Sequence, residues 1–263
     1  MPVPEMVWAR FFFGAIFTLP FALRVAGVAA LKPINPAFNA ARALFLISGT
    51  ACFFLALKTL PIADTLAIYF VQPILITALS PFVLGEHVGV RRWITVSIGF
   101  IGVVVIIRPG LQAFNIGVLY ALGAGTNSAC YYLITRKLSG RADAMVTTFQ
   151  TSVIGAAALS LAMPLLWTVP SGNQWTLLIL LGGIAIAGHY CVTRAFDFAE
   201  ASLLSPFNYT EMIVAVAVGW WFFGDFPDHW TFVGVTILIA CAIYISLRER
   251  SLSHAAKEAS SHI

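Results

Sequence analysis

The sequence predicts an all-helical integral membrane protein, and three observations carry that prediction. Of 263 residues, 60% are hydrophobic and only 10% are charged, where a soluble domain carries about 25% charged residues. Low-charge segments recur along the whole chain, and several reach the roughly 20 residues needed to cross a bilayer. Alternating ten-residue strand patterns are absent, which leaves helices as the spanning form, because hydrocarbon offers an open backbone no hydrogen-bond partner. The net charge of +4 is scattered over short loops rather than gathered on one face, so nucleic acid is not an expected partner.

Nine spans follow in order, at about 7–26, 41–57, 62–84, 93–107, 114–135, 144–166, 175–193, 201–223 and 230–247. Pro, Gly and Asn punctuate the short loops, as in "KPINP" (32–36), "RPG" (108–110) and "VPSGN" (169–173). Cys52, Cys130, Cys191 and Cys241 each fall within an apolar segment, without CxxC or Cys/His spacing. They read as small buried hydrophobes, and neither a metal nor a cofactor is expected. No basic stretch precedes the first apolar segment, so a cleavable signal peptide is not expected.

Lysine and arginine set the expected orientation. Twelve fall on one side of the nine spans, Arg42, Arg136 and Lys137 among them, and three on the other: Arg10, Lys58 and Arg108. The richer side is expected to be cytoplasmic, which places the C-terminus in the cytoplasm, with the chain expected as a multi-pass protein of a cell inner membrane. Trp167, Trp175, Trp220, Trp221 and Trp230 then collect near the outer boundary, where indoles favour the headgroup zone.

Sliding the chain on itself by 139 residues aligns Met6-Val7 with Met145-Val146, Ala56 with Ala195, Ile74 with Ile213, Gly85-Glu86 with Gly224-Asp225 and Val96 with Val235. Equivalent spans lie five helices apart, an odd number, so they run in opposite directions. That is the pattern of an inverted-topology repeat, common in secondary transporters. The counterpart of 114–135 would precede Met1. The expected fold is therefore an inverted repeat of five-helix units with the first helix of the first repeat missing.

On these residues the chain resembles the drug/metabolite transporter superfamily, EamA type. "ALKTLPIADTLAIYFVQPILITALSPFVLGEHVGVRRW" (56–93) is similar to the closing segment of that family's first half, and "AFDFAEASLLSPFNYTEMIVAVAVGWWFFGDFPDHWTFVG" (195–234) to that of its second. Arg10, in "MVWARFFFGAIFTLPFAL", resembles the arginine near the start of the family's second helix. The resemblance implies two inverted five-helix repeats around a central substrate cavity, and divides the chain into 1–108, 113–247 and a cytoplasmic tail, 248–263. Met212 stands where the first half has Pro73.

Polar residues inside the spans are the candidate site. An ionisable group at mid-bilayer costs roughly 2.5–3.5 kcal/mol, so it normally faces a cavity or a partner. Glu211 is the sole charge in 201–223 and shares a helical face with Asn208. The offset of 139 pairs Glu211 with Gln72 and Asn208 with Tyr69, so both halves place a polar pair at matching positions. These four are expected around one cavity, with an interhelical hydrogen bond as the plainer reading. Asn127 with Tyr131, and Gln150 with Thr147, share faces in spans that the family fold places around the cavity.

His189 can relay protons or act as a hydrogen-bonded ring in the bundle. The nearby "GGIAIAG" (182–188) lacks a phosphate-loop pattern and reads as close helix packing. Arg10 is expected to snorkel to the outer headgroups or to line an outer vestibule. Glu86 and Asp225 read as helix-end residues.

The expected function is secondary transport of a small polar metabolite by alternating access, with Glu211 as an exchangeable proton site. No Walker A motif suggests ATP as the energy source, and no HExxH or GxSxG pattern suggests hydrolysis. The alternative is a membrane-embedded enzyme or flippase acting on a lipid-linked substrate. The residue set suits amino acids, organic cations and nucleoside-like metabolites equally. The expected partners are the metabolite, the lipid bilayer and protons as coupling ion, and a homodimer is compatible with the reading.

Overall fold

The structure is a computed structural model that describes residues 1–32, 35–86, 88–107, 115–204, 211, 214, 217–224, 228–241, 243, 244 and 247. Its elements are α1 (Val3–Ala26), α2 (Pro36–Ala56), α3 (Ile62–Tyr69), α4 (Val71–Leu84), α5 (Val90–Ile107), α6 (Ile116–Leu138), α7 (Ala144–Ser160), α8 (Met163–Leu166), α9 (Gly172–Ala195) and α10 (Ala201–Leu204). A π-helical turn follows at Gly219–Phe223, and then α11 (His229–Cys241). No strand occurs among the described residues. Four helical stretches, Val3–Leu31, Pro36–Ala56, Asp64–Leu84 and Gly172–Ala195, are long and apolar enough to cross a membrane.

Two of the spans expected to be continuous are interrupted, and proline is the reason in both. The 62–84 span breaks at Phe70, whose backbone (φ −68°, ψ 6°) caps α3 and starts α4. Pro73 has no amide hydrogen, so it cannot bond the Tyr69 carbonyl one turn back. The 144–166 span breaks at Leu161-Ala162, between α7 and α8. Pro164 fails in the same way to bond Ser160.

The chain divides into two compact units, Met1–Leu55 with Cys130–Ala199, and Ala56–Ala129 with Glu200–Ile263. Each unit draws on both halves of the sequence.

In the first unit α1 packs on α7 and α9. Its buried residues Val7, Phe11, Gly14, Thr18 and Ala22 recur every three or four positions, one face of a helix. Glycine lets these helices close up. A Cβ on Gly155 would lie 2.3 Å from the Phe11 ring, and one on Gly182 would lie 2.5 Å from the Phe13 Cβ. Gly182 and Gly183 in "GGIAIAG" thus face Phe13 and Phe17, which is the packing role expected of that stretch. The N-terminus of α7 is capped by Asp143, which accepts from the Met145 amide at 2.7 Å. That of α9 has a capping box of Ser171 and Gln174.

In the second unit α4 packs on α5 and α10. Gly125 of α6 faces the helix break: a Cβ there would sit 2.5 Å from the Tyr69 carbonyl oxygen. Glu86 accepts from the Ala201 amide at 3.3 Å. Gly85 and Gly224, aligned by the 139-residue offset, both end helical segments in the left-handed conformation, at φ 72° and 71°. Asp225 lies outside the described residues.

Candidate functional site

The first unit contains a continuous line of polar side chains. Arg10, on α1, donates from Nη1 to Thr50 Oγ1 on α2 and from Nη2 to His189 Nε2 on α9. Thr50 can accept because its own hydrogen goes to the Leu46 carbonyl at 2.7 Å. Beyond His189, the Tyr131 ring of α6 meets the imidazole edge-to-face at 5.4 Å. The Arg42 guanidinium then lies 5.3 Å from the Tyr131 ring centroid, and its Nη2 donates to the Tyr131 hydroxyl at 3.5 Å. The line runs Arg10, His189, Tyr131, Arg42, with cations at both ends.

One expectation is corrected here. Arg10 does not snorkel to the headgroups. It is half-buried and turned inward onto Thr50 and His189, because a guanidinium among apolar helices is stabilised by the nearest acceptors. Arg42, counted among the cytoplasmic-side charges, is fully buried within α2. The sequence did hold a signal for it. Asn39, Arg42 and Thr50 fall on one face of an apolar helix, and all three are buried, so the polar stripe of α2 faces inward.

Of the residues expected at the site, Tyr131 and His189 are brought together in the first unit. Gln150 lies elsewhere in that unit, with its amide held on both ends. Nε2 donates to the Ala30 carbonyl at 3.1 Å and the Lys32 carbonyl at 2.7 Å, and Oε1 accepts from Asn39 Nδ2 at 2.9 Å. Gln150 therefore ties α7 to the α1–α2 connection. Its expected companion Thr147 bonds backward to its own helix, at the Asp143 and Ala144 carbonyls.

The second unit holds Gln72, Tyr69, Asn127 and Glu211. Gln72 is fully buried one residue past the start of α4, and both ends of its amide have no hydrogen-bond partner among the described residues. Tyr69 is half-buried at the other side of the break. Asn127 donates to the Gly123 carbonyl of its own helix at 2.7 Å. Glu211 is helical and exposed. Asn208 lies outside the described residues. No group of three or more His, Cys, Asp or Glu that could hold a metal occurs among the described residues.

Chemically, the first unit offers a line of nitrogen and hydroxyl donors inside an apolar bundle, and the second offers an unsatisfied amide at a helix break. Buried polar groups left over after internal bonding suit a polar ligand, and broken helices are where many transporters bind theirs.

Comparison with known proteins shows the family. A model of the EamA-like transporter family matches residues 1–108 and 115–247. An S-adenosylmethionine uptake transporter of Rickettsia prowazekii (strain Madrid E) is 29% identical over 247 residues, 94% of this chain and 83% of that protein. A riboflavin transporter of Vibrio cholerae serotype O1 is 27% identical, over 96% of this chain and 88% of that protein. The pseudopaline exporter CntI of Pseudomonas aeruginosa (strain UCBPP-PA14) is 26% identical, over 92% and 85%. A solved crystal structure superposes with a TM-score of 0.72 at 22% identity, over 96% of this chain and 90% of its own, and shows the same fold.

Proposed function

We propose, because the chain belongs to the EamA-like transporter family, that it is a secondary transporter moving a small polar metabolite across a cell membrane by alternating access. As a member of that family it is a membrane transporter; the substrate class, the mechanism and the contact residues are the proposal. The observation that supports it best is the buried line Arg10–His189–Tyr131–Arg42. Ionisable side chains in membrane-spanning segments are costly and normally mark a substrate or ion pathway. Tyr131 and His189 are the proposed contacts in the first unit. Gln72 with Tyr69, and Asn127, Glu211 and Asn208, are those in the second. Gln150 is proposed to act at the site's edge by holding Asn39, three residues before Arg42 on the same helix.

Direction is left to the gradients, and the relatives named above include both an uptake transporter and an exporter. Glu211, an exposed carboxylate in an otherwise uncharged run, is the proposed proton-exchange group. Reconstitution into liposomes tests the reading. Uptake of S-adenosylmethionine, riboflavin and a set of amino acids is measured for the wild type and for His189→Gln and Glu211→Gln. At least one compound should be taken up, with His189→Gln at least about tenfold slower and Glu211→Gln insensitive to an imposed proton gradient. Uptake by His189→Gln at the wild-type rate would sink the assignment of the first-unit line, and a gradient response retained by Glu211→Gln would sink the proton site.

A further inference from the structure

The donor count at Arg42 says more about the cargo than the family does. A guanidinium carries five N–H donors and accepts nothing. Arg42 is fully buried, yet its Nε and Nη1 have no hydrogen-bond partner among the described residues, and its Nη2 reaches only the Tyr131 hydroxyl at 3.5 Å. No carboxylate among the described residues pairs with it; the ion pair seen is Arg194–Asp197, which is elsewhere. His189 adds a second unused donor. Arginine can only donate, so His189 Nε2 accepts from Arg10 and the neutral ring carries its hydrogen on Nδ1, which is also buried and without a partner among the described residues. Two groups on this line, the charged Arg42 guanidinium and the His189 Nδ1–H, thus have donors with no acceptor among the described residues.

We propose that Arg42 binds the carboxylate of the transported metabolite, with His189 Nδ1–H as a second donor, so that the substrate is a carboxylate-bearing metabolite. This rests on the transporter reading and narrows its substrate class. A buried cation without a partner is unfavourable, and a ligand carboxylate supplies the missing acceptor atoms as a charge-assisted pair.

The test uses the full-length protein in lipid nanodiscs, with acetate as the minimal probe. Melting temperatures are compared in about 0.1 M sodium acetate, sodium chloride, acetamide and sodium phosphate, since a ligand of the native state raises the midpoint by mass action. The wild type should melt about 2 °C higher in acetate than in chloride or acetamide, and Arg42→Met should show no such increment. Without any ligand, Arg42→Met should melt at or above the wild-type temperature, because it removes an uncompensated charge. Should Arg42→Met not yield folded protein, Arg42→Gln, polar but neutral, carries the same comparison.

An equal acetate increment in wild type and variant overturns the proposal, as does no increment in the wild type. A larger increment in phosphate than in acetate overturns the carboxylate assignment. Uptake is read separately, with glutamate beside its dimethyl ester and methionine beside its methyl ester; the acids should be taken up at least about tenfold faster. An acetate increment without uptake of any metabolite would sink the transport reading and leave the anion site standing. Uptake of the esters as fast as the acids, without an acetate increment, would do the reverse.

Discussion

Gln150 and Gln72 are the same residue type, 4% and 0% exposed, and their surroundings differ in one decisive way. Gln150 meets two carbonyls and one amide of the first unit within 3.1 Å. Gln72, in the second unit, has no partner among the described residues for either end of its amide. The first is an internal joint, since these three bonds each span more than 100 residues of sequence. The second has its hydrogen-bonding capacity unused among the described residues. Burial of a polar side chain therefore does not by itself mark a binding residue; what remains after internal bonding does.

Substitutions can break or sharpen that comparison, and they fall in order of their expected effect on stability. Gln150→Leu removes three long-range hydrogen bonds at once. At roughly 1 kcal/mol each, unfolding in detergent should show a loss of about 3 kcal/mol; a loss under about 1 kcal/mol would mean Gln150 is no joint.

Gly125→Ala places a methyl group 2.5 Å from the Tyr69 carbonyl oxygen. Backbone cannot yield as a side-chain tip can, and overpacking of this kind costs about 1–3 kcal/mol. A lowered midpoint should accompany a transport defect, because Gly125 lies against the break that holds Gln72. Unchanged stability would show that α6 does not approach the break as closely as described.

Pro73→Ala restores an amide hydrogen opposite Tyr69 and should let α3 and α4 join into one helix. Stability should rise by up to about 1 kcal/mol from the restored hydrogen bond, while transport falls if the proposed contact at Gln72 depends on the break. Transport kept at the wild-type rate would show the break to be dispensable.

Gln72→Leu is the mildest for the fold and the sharpest for function. With no bond to lose among the described residues, the midpoint should stay within about 0.5 kcal/mol of wild type. Uptake should nevertheless drop at least about tenfold, whereas Gln72→Asn, one methylene shorter, should keep part of it. A destabilised Gln72→Leu with normal uptake would make Gln72 a joint like Gln150.

Much of the architecture was legible in the sequence. Composition and span length announced a helical membrane protein, and the order of "GEHVGVRRW" and "GDFPDHW" after their apolar runs pointed to the family that the comparison then showed. Helix ends were legible where a residue has a local conformational reason, as at Gly85 and Gly224 with their left-handed backbones. The breaks at Phe70 and Leu161 were not expected, although Pro73 and Pro164 carry the cause. Hydropathy averages over a window and does not register a single missing donor.

The site was legible only as a set of candidates. The sequence by itself determined which polar side chains lie inside apolar segments, because that depends on neighbours within a turn or two. It did not determine which of them are already satisfied. Arg10 looked close enough to the boundary to snorkel, and its partners Thr50 and His189 lie 40 and 179 positions away. Arg42 looked like a boundary charge, and its neighbour Tyr131 lies 89 positions on. Only tertiary structure brings such groups together, and in an apolar bundle the accounting of donors against acceptors is what turns a buried polar residue into a joint or a binding site.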